Sequence, residues 1–244
     1  MQKRDDVFRY SVVVTKVLFV AALPFLGYGF GEQAVAVANK ISLESRKLLA
    51  FAAGAILFVP VWGIAIRFFW RPWQFLCTLE HEVTHAVAGL PFLFVPKGMR
   101  VTATEGGHVK QVWKGPRFLL PIYGPGSLLS GLAPYFLPTT PYLIIAIDMA
   151  AFQSRSYWLG ASLGFFAAFH VVSTWAETAY RQPDLKQAGL VFSTLFLPVA
   201  NLIALGGILA YVAGGPPVFF RFWTGGLLHS YQAIFQTFAG LKTL

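Results

Sequence analysis

Long apolar runs recur from end to end of this chain, and no polar block between them is large enough for a separate soluble domain. A helix needs about 20 apolar residues to cross the hydrocarbon core of a bilayer. Seven segments qualify as spans or partial spans. The first covers 11–30, interrupted by Pro24 and a glycine pair, and the polar connection "GEQAVAVANKISLESRK" leads to a second at 48–69. Arg67, Arg71, Trp62, Trp70 and Trp73 mark its end in the manner of an interfacial belt. The third, 73–95, stops before Pro96. A fourth at 117–137 is broken by Pro and Gly, and "PYLIIAIDMAAF" is too short to span alone and reads as re-entrant. The last two cover 157–180 and 188–213, followed by an aromatic tail from Pro216 that suits another span or an interfacial helix.

The polar stretch 97–116 breaks this pattern. Val101 and Ala103 alternate, Gly106 and Gly107 offer a turn, and Val109 and Val112 follow, which predicts a β-hairpin. The expectation is therefore an all-α polytopic membrane protein, one integral-membrane domain over 1–244. It has about six to seven transmembrane or re-entrant helices and a small β-hairpin after the third span.

Composition supports this class: 56% of residues are hydrophobic and 12% charged, where soluble domains carry about 25% charged residues. The net charge of +9 comes from Lys and Arg concentrated at span ends and loops, where they meet lipid headgroups, so it is no nucleic-acid signal. The expected partners are the bilayer and a membrane-protein or peptide substrate. A single cysteine, Cys77, excludes an intrachain disulfide. Basic residues before the first apolar run resemble a signal peptide, but the run is long enough to span and reads as a retained first helix.

The third span carries "CTLEHEVTHAVAGL", residues 77–90. Ionisable groups are costly in hydrocarbon and mark functional sites there. His81 and His85 lie four apart, on one helical face, and can present imidazoles to one ion; Glu82 stands beside them to move a proton. With an open fourth position, zinc activates water and polarises a carbonyl, which is the chemistry of peptide-bond hydrolysis. Gly89, one turn on, leaves room for a facing helix or a substrate backbone. The same ligands without hydrolysis would suit a membrane metal-binding or transport protein.

A third protein ligand must come from elsewhere. Asp184, in "RQPDLKQAGL", also fits a helix cap; Glu177 shares a helix face with His170; His170 itself is a candidate, and Asp148 is the weakest. Spacing divides Asp184 and Glu177 evenly.

An HExxH within a span, then a Gly-Pro-bearing span, then a later carboxylate resembles the site-2 protease family of intramembrane zinc metalloproteases, in its compact branch. The likeness covers roughly residues 73–210. It implies that His81 and His85 bind zinc, that Glu82 activates water, and that Asp184 rather than Glu177 completes the site. "YGPGSL" matches the family's Ala-Gly-Pro-x-x-Asn pattern at Gly124 and Pro125, with Tyr123 and Leu128 in place of its Ala and Asn. Leu185 follows Asp184 where the family has Gly, and Thr84 also stands at a common Gly position.

A protease of helical segments must hold its substrate extended, and a strand edge does so by β-augmentation. Val101 and Val109 on the hairpin are candidate substrate-binding residues. Gly124 and Pro125 are candidates for opening a path to the metal. His108 reads as an exposed loop residue.

Overall fold

The computed structural model describes residues 2–40, 45–152, 156–178 and 182–241. They form α1 (Gln2–Lys40), α2 (Arg46–Phe68), α3 (Trp70–Gly89), β1 (Phe94–Val101), β2 (Gly107–Trp113) and α4 (Leu120–Leu132). The chain continues through α5 (Thr139–Ile147), α6 (Tyr157–Thr178), α7 (Pro183–Ala188) and α8 (Leu190–Leu241).

Four helical stretches are long and apolar enough to cross a membrane: Phe8–Lys40, Arg46–Phe68, Tyr157–Ala176 and Leu190–Gly240. Pro121–Tyr135 and Thr139–Ala151 pass the same test only as a pair, and count as a fifth if the break between them lies within one span. Exposed apolar side chains such as Leu18, Ile56, Trp158 and Leu227 cover these helices, as lipid contact requires and water does not. Against the six to seven segments counted on the sequence, four or five pass by length and composition among the described residues. Part of the difference lies in α8, where backbone at Gly214 and Gly215 leaves helical geometry and divides one long helix into two.

The hairpin forms where the polar stretch predicts it. Phe94 pairs with Trp113 and Val101 with Gly107, antiparallel, with an irregularity between Pro96 and Gly98. Gly106, at φ 78°, takes the left-handed conformation that the turn requires. The helix before it is shorter at its C-terminal end than the predicted 73–95. α3 ends at Gly89, Leu90–Phe92 tightens into a 3-10 turn containing Pro91, and Leu93 at φ 65° sends the chain into β1.

The described chain divides into two compact units. Met1–Ala21, Val61–Leu137 and Ser173–Phe196 make the first; Ala22–Pro60, Pro138–Val172 and Leu197–Leu244 make the second. In the first, α3 packs on the hairpin and on α4, and α4 packs on α7. Gly126 of α4 has no room for a Cβ against Phe92, and Gly124 none against Ser11 and Thr15 of α1. In the second, Ile145, Leu163, Ile208 and Tyr211 build one core cluster and Phe30, Ala210 and Phe222 another. There Gly54 meets the Ala161 backbone and Gly164 the Phe51 backbone, a reciprocal close approach of α2 and α6 through small residues.

Candidate metal centre

The buried residues of α3 are Cys77, His81, Glu82, Thr84, His85 and Gly89, so one helical face turns inward and carries the whole motif. Opposite it, α7 begins at Pro183, with Asp184 in its first turn and Leu185 and Ala188 buried beneath. Proline is preset for the first helical position, and a carboxylate in the first turn suits the helix dipole. This short helix thereby turns Asp184 onto the two histidines.

His81 Nε2 and His85 Nε2 are 3.1 Å apart, and Asp184 Oδ2 lies 3.5 Å from the first and 3.4 Å from the second. Three donors around a tetrahedral ion at about 2.0–2.1 Å would stand about 3.3 Å from one another. The spacing thus matches that of a metal site. His81, His85 and Asp184 are the group of ligand-bearing side chains among the described residues that can hold a metal ion together. Burial works most strongly on Asp184 and against its charge. Hydrogen bonds and electrostatic interaction with His81 and His85 outweigh it, and hold the carboxyl below the ordinary carboxylate range. The carboxylate is ionised at neutral pH, as a ligand must be.

The orientation of His85 is set from behind. Its Nδ1 is 2.7 Å from the Ser130 carbonyl oxygen, which can only accept, so that nitrogen donates and Nε2 keeps its lone pair for the ion. In an uninterrupted helix the Ser130 carbonyl would accept from the N–H of residue 134, but Pro134 has none. The proline therefore frees the acceptor that His85 uses. Nearby, Thr174 Oγ1 donates to the Pro134 carbonyl at 3.2 Å. Gln111 completes the frame: its Nε2 donates to the His85 carbonyl at 2.8 Å, and its Oε1 accepts from Ser130 Oγ at 2.8 Å. His81 is held edge-on by the fully buried ring of Tyr135 at 5.5 Å between centroids.

Glu82 is buried beside the cluster, with the Val109 backbone N–H facing its carboxylate. β2 lies so close that a Cβ on Gly107 would stand 2.7 Å from Thr78 Cγ2 and 2.8 Å from Glu82 Cγ. A cavity of about 560 Å³ opens over the cluster, walled by α3, the β2 side of the hairpin, Ser127 and Ser130 of α4, and Gln182 to Asp184. Among the described residues the outer edge of β2 has no strand partner.

Other sequence candidates fall elsewhere. Val109 lines the cavity and Val101 does not; Gly124 is packed under α1, its N–H accepting no part in the cavity but donating to Ser11 Oγ at 3.1 Å, and Pro125 is half-buried on α4. His108 is exposed at the cavity rim. Gly89 clears space for the hairpin rather than a facing helix, since a Cβ there would meet Gln111 Nε2 at 2.5 Å. His170 is buried on α6 in the second unit, and the Glu177 side chain lies outside the described residues. Ser130, Gln111 and Pro134 escaped the sequence reading; the one local signal was a proline four residues after a serine.

Fold and site together define a mostly helical chain with helices long and apolar enough to cross a membrane and a group of two buried histidines and a partly buried aspartate that can hold a metal ion. Comparison with protein-family models, curated proteins and solved structures finds no match.

Proposed function

We propose that this protein is an intramembrane zinc endopeptidase of site-2 protease type that cuts membrane-embedded or membrane-proximal polypeptides. The observation that carries it is the convergence of His81, His85 and Asp184 in one cavity with the carboxylate of Glu82. On this reading α3 counts as a span, and α8 counts as two around Gly214 and Gly215. With α1, α2, α6 and the bent α4–α5 pair they make seven, and the chain is a multi-pass membrane protein.

Zinc held by these ligands supplies a Lewis acid and lowers the pKa of water to about 7. Glu82 takes the proton of the attacking water on its carboxylate and returns it to the leaving amine. The free edge of β2 holds the substrate extended beside Glu82 through main-chain hydrogen bonds, as strand addition does elsewhere. Val109 is the hairpin residue placed to touch it.

The test uses purified protein in vesicles with a single-span peptide substrate and elemental analysis. Glu82→Gln is expected to keep its metal and lose cleavage, whereas His81→Ala loses both. Full proteolysis in Glu82→Gln would overturn the assignment. Zinc transport across proteoliposomes that survives Glu82→Gln, without cleavage by the unaltered protein, would make these ligands those of a transporter.

A further inference from the structure

The candidate metal centre opens on two sides. Besides the cavity walled by the hairpin, a second of about 530 Å³ lies between α1, α4 and α7. The two share Ser127, Gly131, Asp184 and Gln187, so they meet at the Asp184 carboxylate. A polypeptide lying along β2 therefore has room to continue past the metal group on the α1 side.

Local packing builds this second cavity. Phe8 of α1 packs on Tyr123 of α4 at 4.3 Å between ring centroids, and meets Trp113 of β2 edge-on at 5.9 Å. One turn further along α1, Ser11 Oγ accepts from the Gly124 N–H at 3.1 Å, and Gly124 leaves no space for a side chain against Ser11 and Thr15. Phe8, Ser11 and Thr15 thus hold one face of α1 on α4. The adjoining face carries Arg9, Val12, Val13 and Lys16 at helical spacing and is left toward α7. Arg9, Val12 and Val13 line the cavity opposite Ala188 of α7. Lys16 Nζ lies 3.8 Å from the position a Cβ on Gly189 would take, at the residue that follows Ala188.

The wall is apolar at Val12, Val13 and Leu128, and positive at Arg9 and Lys16, two helical turns or about 10 Å apart. Among the described residues Asp184 is the one carboxylate on the cavity wall, and it is engaged by His81 and His85. Lys16 is partly buried in a helix long and apolar enough to cross a membrane, a setting in which an ammonium marks a functional site.

We infer that this cavity is a specificity subsite, which takes the half of the substrate beyond the scissile bond from β2 and selects an acidic residue there. The substrate's apolar side chain rests on Val12 and Leu128, and its carboxylate pairs with Arg9 while Lys16 adds to the positive field. The inference rests on the peptidase reading and names its substrate class, single-span polypeptides with Asp or Glu close to the cleaved bond. A carboxylate at that position gains a charge-assisted hydrogen bond from the guanidinium, whereas a lysine is repelled.

The test gives the full chain, in vesicles, single-span peptides carrying Glu, Gln or Lys at successive positions on either side of the cleaved bond. At the position that meets the subsite, kcat/KM should fall in the order Glu, Gln, Lys, by roughly 3–10-fold from first to last, the range that a partly exposed ion pair sets. Arg9→Glu should reverse the order. Lys16→Gln should flatten it, and serves alone if Arg9→Glu does not fold. Binding of the Glu and Lys peptides to the Glu82→Gln protein, read by fluorescence anisotropy, separates this inference from the reading beneath it. An Arg9-dependent preference in binding, with no cleavage by the unaltered protein, would overturn the peptidase assignment and leave a cleft for acidic peptides. Cleavage indifferent to the substituted charge at every position would overturn the subsite and leave the peptidase. An Arg9→Glu effect equal for all three peptides and dependent on the phosphatidylglycerol content of the vesicles would give these cations to lipid headgroups, and would overturn the subsite as well.

Discussion

The Ser130 carbonyl serves a histidine on another helix because its own helix cannot use it. Pro134→Ala would return an N–H four residues on, in competition with His85 Nδ1 for that oxygen. Zinc affinity, measured by chelator competition, is expected to fall roughly 10–100-fold, the range typical of losing a partner behind a metal-bound histidine. Helix content by circular dichroism should hold or rise. Gly107 acts on the other side of the site. In Gly107→Ala the new Cβ would stand 2.8 Å from Glu82 Cγ and 2.9 Å from the Arg100 carbonyl, so the carboxylate or the strand must move. Cleavage is expected to drop by on the order of 100-fold, as small displacements of catalytic groups do, with metal content unchanged. Both outcomes are read by pairing peptide turnover with elemental analysis. His81, Glu82 and His85 were legible as a motif; Ser130, Gln111 and Gly107 were not, because each acts through a contact more than 15 residues away in sequence.

Among the elements, the hairpin does more than decorate the helix before it. Gln111 joins β2 to the His85 carbonyl and to Ser130 of α4, and Trp113 Nε1 donates to the Phe92 carbonyl at 3.1 Å. The hairpin therefore closes one wall of the cavity and fixes the C-terminal half of the motif helix. Polar residues, alternation and a glycine pair made it legible in the sequence. Its role as a wall was not, since strand patterning reports a fold and not what the strand lies against. α2 and α6 are joined differently, through backbone contact at Gly54 and Gly164. Gly164→Val should force these helices apart and cost about 1–3 kcal/mol, measured as a lower unfolding temperature in detergent with zinc content retained.

For the molecule as a whole, a metal ion would tie α3 to α7, a helix of only six residues that otherwise packs on α4. Zinc at about 1,000 times its dissociation constant should stabilise the folded state by about 4 kcal/mol. Chelation should therefore lower the unfolding temperature reversibly and stop cleavage, and re-addition of zinc should restore both. An unfolding temperature indifferent to chelator would mean that no ion bridges these elements.

By itself the sequence determined the class of chain, because apolar runs long enough to span a bilayer have few other homes. It also put His81 and His85 together with Glu82 beside them, because a helix sets residues four apart on one face. Only the tertiary structure decided that Asp184 joins them. A third ligand sits about a hundred residues from the pair, and no periodicity carries information across such a separation. Only the fold, likewise, joined Pro134, just past the end of α4, to the hydrogen bond of a histidine on α3, since that link runs through space.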